Sequence, residues 1–188
     1  MQPAASTWGN IRIPWTISWT GEEKQFVGPC PYSRLMALRM PQAPGIGKPQ
    51  FGRPHSDRQR QCIAQERCDL CARPLRLATK VSLSHARVRT NGAQGPCIMQ
   101  VEPMVHRACA LVCIEQCPSL RRDVAAGTLM VRQVLRSQVQ FAIMGPEYIR
   151  HYVPDYIALP SDKIVGHAKV VLQRWIERDE AWLRREVA

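Results

Sequence analysis

Two short motifs set the strongest limit on how this chain folds. Cys68-Asp-Leu-Cys71 places two thiols across a tight turn, a spacing that lets both close on one metal ion. His106-Arg-Ala-Cys109 supplies a second pair, three residues apart at the start of an expected helix, where both side chains project to one side. Knuckle, hairpin, then a helix whose first turn carries two ligands is a treble-clef layout. Three Cys and one His favour zinc, and four protein ligands leave no position for water, so a site of this kind is structural. The 34 residues between the pairs are many for a finger, and the hairpin expected inside them takes up that length.

The same geometry constrains the other cysteines. Cys113 is an alternative ligand in place of His106. Cys117 lies about 12 Å along the helix axis from Cys109 and cannot share its metal. Cys30, Cys62, Cys97 and Cys117 are expected to be small buried hydrophobes. A thioredoxin-like role for Cys68 and Cys71 fits less well, because that chemistry wants the first Cys at a helix N-terminus after a strand, and here the pair follows a helix. The N-terminus has no charged start leading into an apolar stretch, and the longest apolar run, Cys109 to Ile114, is far too short for a bilayer. The expected setting is therefore a reducing cytoplasm with no membrane, where the chain's 8 cysteines read as metal ligands or thiols before disulfides.

Charge points to an acidic partner. The 188 residues carry 26 Lys+Arg against 15 Asp+Glu, a net charge of +11, and 45% hydrophobic content is enough to support a core. Only 5 of the 26 basic residues are Lys, and the rest are Arg, whose planar fork grips phosphate or carboxylate bidentately. Lys48, Arg53, Arg58, Arg60 and Arg67 crowd into twenty residues, opposed by Asp57 and Glu66, and Arg73, Arg76, Lys80, Arg87 and Arg89 follow. Lys48, Arg53, Arg58, Arg60, Arg67, Arg73, Arg76, Arg87 and Arg89 are the candidate anion-binding or nucleic-acid-binding residues. From Gly52 to Val139 there is no Phe, Tyr or Trp, which disfavours base stacking and leaves duplex-backbone or protein contact.

The expected fold class is α+β. Alternation of Ile11, Ile13, Trp15, Ile17 and Trp19 with polar residues predicts an edge strand interrupted by Pro14. Ser33 to Met40 is expected as a short helix, 41–54 as an irregular Pro/Gly segment, and 57–66 as a basic helix with a Ser56/Gln59 capping box. Strands are expected over 75–88 and 97–101 around an Asn91-Gly92 turn, with a helix over 105–116 stopped by Pro118. Strands follow at 129–134 and 139–144, then an irregular stretch over 145–160. An amphipathic helix is expected after Ser161, burying Ile164, Ala168, Val171, Leu172, Trp175 and Ile176 on one face. The chain divides into 1–55, an N-terminal strand and Pro/Gly segment; 56–122, the zinc module; and 123–188, C-terminal strands and helix.

The order Gly47-Lys-Pro-Gln-Phe-Gly-Arg-Pro-His55, Arg58-Gln-Arg60, Cys68-x-x-Cys71, Pro103-Met-Val-His106-x-x-Cys109-Ala110 and Cys117-Pro118 resembles small zinc-knuckle proteins of bacteriophages and bacterial genomes. The resemblance covers residues 46 to 122 and implies zinc at Cys68, Cys71, His106 and Cys109 and a phage setting, without a particular activity. Cys113 departs from that pattern. The chain lacks the zinc-deaminase signature, HExxH, GxSxG and a phosphate-cradling GxxxxGK[ST]. An HNH-type nuclease needs a metal-binding His, a base and a supporting Asn, and only His85 and Asn91 lie in the expected hairpin. The expectation is a non-enzymatic, zinc-stabilised binder of nucleic acid or of an acidic host or phage protein. An anti-defence inhibitor of the anti-CRISPR kind and an HNH-like nuclease are the alternatives.

Overall fold

A computed structural model describes residues 7–90, 95–157, 159 and 161–185. At the N-terminal end, β1 (Thr7–Trp8) and β2 (Ile11–Arg12) form a small antiparallel pair, and β3 (Ile17–Trp19) follows after a turn in which Ile17 N donates to Pro14 O at 3.0 Å. The single strand expected over 11–19 is thus divided at Pro14, which has no N–H to give to a ladder. Thr16 and Ser18 are buried along with Ile13 and Trp19, so the simple in/out alternation also fails.

The expected helix at Ser33–Met40 is instead a turn and a strand: β4 (Phe26–Pro29) pairs antiparallel with β5 (Met36–Arg39). The turn is closed by Arg34 N to Cys30 O and Cys30 N to Leu35 O, with Arg34 at φ 58°. β6 (Pro49–Pro54) then pairs with β3. Gly47, at φ +84°, makes that approach possible, because a Cβ there would lie 2.0 Å from Thr20 Oγ1. The Gly47-Lys48 motif therefore has a structural use, with Thr20 N donating to Lys48 O at 3.0 Å.

α1 (Ser56–Ala64) matches the expected basic helix, but its cap differs. His55 Nδ1 accepts from the backbone N–H of Asp57 and Arg58, and Gln59 turns away from the expected capping box to bind Val101 O and Ala168 O. β7 (Lys80–Ser84), β8 (Arg89–Thr90), β9 (Pro96–Gln100) and β10 (Val105–His106) come next, then α2 (Arg107–Gln116) and α3 (Pro118–Ala125). Pro118 ends one helix and occupies the first turn of the next, where its missing N–H costs nothing. The strand expected over 75–88 shrinks to β7. It does not pair with β9: β7 lies against β10 and β11, and β9 against β8 and β12. The Asn91-Gly92 turn falls outside the described residues.

β11 (Met130–Met144) joins the two strands expected over 129–144 into one, with register shifts around Arg136 and before Ile143. α4 (Pro146–Tyr152) lies within the stretch expected to be irregular. The largest correction is the C-terminal helix, which is a 15-residue strand, β12 (Ile164–Arg178), followed by the short α5 (Glu180–Arg184). Ile164, Val165, Ala168, Val170, Val171 and Leu172 are all buried, so the first part of β12 is covered on both faces, whereas Trp175 is only half-buried and Ile176, expected on the buried face, is exposed. A run of that kind satisfies helical spacing as well as strand spacing, and its β-branched residues favour the strand.

β12 organises the sheet. It pairs antiparallel along its length with β11, and its other edge takes β5 in parallel at Val165 and β9 antiparallel at Val170–Leu172. The strand order is β10-β7-β11-β12-β5-β4, with β9 on β12 and β8 beyond it. Strands from all three sequence segments enter this one sheet, and the architecture is mixed α+β. Its main core joins Ile63, Leu75, Val81, Ile98, Ile114, Val131 and Leu172 with Cys68 and Cys109. Among the described residues no helix is long and apolar enough to cross a membrane.

Candidate metal centre

The residues around the first cysteine pair form a tight loop. Arg67 and Pro74 make an isolated antiparallel bridge, Cys68 N donates to Arg73 O, and Ala72 N donates back to Cys68 O, both at 2.9 Å. Ala72 closes the turn at φ 56°. Arg67, one of the expected anion-binding residues, braces this loop through Nη1 to Ala72 O at 3.1 Å. Two knuckle sulfurs are thereby turned to the same side.

The second pair arrives from the sheet. β10 is pinned to β7 by the pairs Val105↔Val81 and His106↔Lys80, so His106 is extended (ψ 154°) where the chain enters α2. Cys109 sits in the first turn of that helix. Asp69 N donates to Met104 O at 3.0 Å and ties the knuckle to the strand carrying His106.

The structure brings Cys68, Cys71, His106 and Cys109 together, with their ligating atoms all within 4.8 Å of one another. Cys71 Sγ lies 3.4 Å and Cys109 Sγ 3.8 Å from His106 Nδ1. His106 Nε2 lies 3.0 Å from Pro74 O. A carbonyl can only accept, so Nε2 carries the hydrogen and Nδ1 presents its lone pair to the sulfurs. Cys68 and Cys109 are buried, and Cys71 and His106 half-buried. The hydrogen bond with Cys109, together with burial, pushes the Cys68 thiol well above its ordinary value. These four residues could hold a metal ion. Cys113, the alternative ligand, lies outside the cluster.

All eight cysteines are free. Cys30, Cys62 and Cys97 are buried thiols as expected. Cys117 is only half-buried and, with Cys113, lines a cavity next to the cluster.

Apart from the half-buried Arg67, the expected anion-binding residues separate into two groups. Lys48, Arg53, Arg73, Arg76, Arg87 and Arg89 are exposed. Arg87 is held by Thr128 O at 3.0 Å, and Arg89 shares a small pocket with His85, Glu102 and Lys169. Arg58 and Arg60, in contrast, are 1% and 0% exposed, so the surface reading of these two residues is corrected. Arg58 forks onto Glu22 with both contacts at 2.6 Å, donates to Ile17 O, and lies over the Trp15 ring. Arg60 reaches Asp57 at 3.0 Å and Gly166 O at 2.7 Å. Together they join α1 to the N-terminal segment and to β12.

Sequence spacing had no means of pairing Arg58 with Glu22, 36 residues away. Burial raises Glu22, but its hydrogen bonds from Arg58 and from the Ala43 and Trp19 N–H outweigh that and hold the carboxyl below its ordinary value. Burial, with the Arg58 charge beside it, lowers His55. Asp69 was also missed. Its carboxyl accepts from the Thr16 hydroxyl, and burial, with Glu102 nearby, pushes it up to about 6. His85, considered as a nuclease residue, lies 3.3 Å from Asp123, and Asn91 is outside the described residues.

Comparison with protein-family models, with curated proteins and with solved structures finds no match to the chain.

Proposed function

We propose that Cys68, Cys71, His106 and Cys109 hold one structural zinc ion, and that the protein acts by binding an acidic macromolecule through its exposed arginines. The observation that carries this reading is the closed ligand set. Tetrahedral zinc with ordinary bond lengths sets a sulfur–nitrogen separation of about 3.6 Å. The separations at His106 Nδ1 are 3.4 Å and 3.8 Å. With four protein ligands no coordination position is left for a substrate or an activated water, so the metal serves the fold. The order of knuckle, β7 paired with β10, and α2 carrying the last ligand supports a treble-clef-like module.

The exposed Lys48, Arg53, Arg73, Arg76, Arg87 and Arg89 and the net charge of +11 support a nucleic-acid backbone as the partner. Retention on duplex DNA, measured over a salt series, tests this. Arg73→Ala with Arg76→Ala should flatten the dependence of log affinity on log salt by roughly one unit per lost phosphate contact. Pull-down from host lysate with and without nuclease treatment separates a nucleic-acid partner from an acidic protein, which would survive the nuclease.

A further inference from the structure

A cavity of about 610 Å³ opens beside the metal cluster, between the N-terminal segment and α2. Ile17, Leu70, Leu83, Val105, Val112 and Leu120 form much of its wall. Ile17, Leu83, Val112 and Leu120 are only half-buried, so the cavity exposes apolar surface that a ligand would take out of water. Its size falls in the range of roughly 300–1,000 Å³ typical of small-molecule sites, which combine apolar walls with a few polar groups.

The cavity is preformed. Arg12 N donates to Gln116 Oε1 at 2.8 Å, and Trp15 N donates to Asp69 O at 2.7 Å, so the N-terminal segment is tied both to α2 and to the knuckle.

Two acidic residues, Asp69 and the exposed Glu102, line this space. The Thr16 hydroxyl occupies Oδ1 of Asp69, and among the described residues no side chain makes an ion pair with either acid. Glu102 also borders a second, smaller pocket with His85, Arg89 and Lys169, none of which is within ion-pair distance of it. Arg12 also lines the cavity, yet it pairs with neither.

We propose that this cavity binds an apolar small molecule carrying one basic nitrogen. The hydrocarbon body covers the walls formed by Ile17, Leu83, Val112 and Leu120, and the cation meets Asp69 and Glu102. The assignment is separate from the acidic-partner reading, because it uses none of the exposed arginines.

The test titrates 2-(1-naphthyl)ethylamine and its uncharged analogue 1-ethylnaphthalene into the whole metal-loaded chain, followed by methyl NMR. Both probes should shift the Leu83, Val112 and Leu120 methyls, with the amine binding about tenfold more tightly, as expected for a charge-assisted contact. Glu102→Gln, at an exposed residue, should remove part of that advantage, and adding Asp69→Asn should remove the rest. Val112→Trp, which fills the cavity, should abolish binding of both probes while distant methyls keep their shifts. Equal affinity for the two probes, an amine advantage unchanged in Glu102→Gln, or shifts confined to residues outside the cavity would overturn the proposal.

Discussion

His106 Nε2 lies 3.0 Å from the Pro74 carbonyl oxygen, so the same short loop that positions the knuckle cysteines also fixes the tautomer of the histidine facing them. In metal-loaded protein, long-range nitrogen-15 NMR should place the ring hydrogen of His106 on Nε2 and the metal on Nδ1. His106→Cys should still bind metal as a four-sulfur site, whereas His106→Ala should bind it far more weakly. A spectrum with the hydrogen on Nδ1 would contradict the assignment.

The buried fork between Arg58 and Glu22 gives a second expectation. Removing one partner leaves the other charged and out of water, and Arg58→Ala should cost about 3–5 kcal/mol in chemical denaturation. Arg58→Lys should recover only part of this, since a point charge cannot make both contacts. A loss below about 1 kcal/mol would show that Arg58 is not held as described.

The same neighbourhood makes the protein sensitive to acid. His55 is lowered by burial from its ordinary value of 6.5, so below that pH the unfolded chain takes up a proton that the folded chain refuses. Its contribution is fully present above about pH 6.5 and is lost as the pH falls. Glu22 is lowered from 4.5, so its contribution is present above that value and is lost as the pH falls further, through the folded value. Melting temperature should therefore fall from neutral pH towards pH 5 and fall again below 4.5. Glu22→Gln should remove the second decline. A melting temperature that rises on acidification from neutral pH would contradict both assignments.

Arg34 closes the β4–β5 turn at φ 58° and is exposed. A side chain in the left-handed region is strained, and Arg34→Gly should stabilise the fold by up to about 1 kcal/mol. Destabilisation in an equilibrium denaturation experiment would show that the Arg34 side chain makes a contact that matters more than the backbone.

The cluster of Cys68, Cys71, His106 and Cys109 was legible because its spacing is local. Cys68 with Cys71 and His106 with Cys109 each follow a spacing that a turn or a helix start imposes. Long-range features were not legible. β12 reads equally well as a helix because its buried run satisfies both periods, and only its partners β11, β5 and β9 decide between them. Arg58 and Arg60 look like surface charges until Glu22 and Asp57 are placed beside them, and no local pattern announces an acid folded back from the N-terminal segment. Pro74 O, which sets the His106 tautomer, is a backbone atom and leaves no mark in the sequence.

Metal content is the most direct measurement of the central claim. Plasma emission on protein purified without added metal should find one zinc per chain, and Cys109→Ser should lose it together with cooperative unfolding of the sheet that shares its core. A folded wild-type chain without zinc, or a Cys109→Ser variant with unchanged zinc content, would contradict the assignment of Cys68, Cys71, His106 and Cys109 as the ligands.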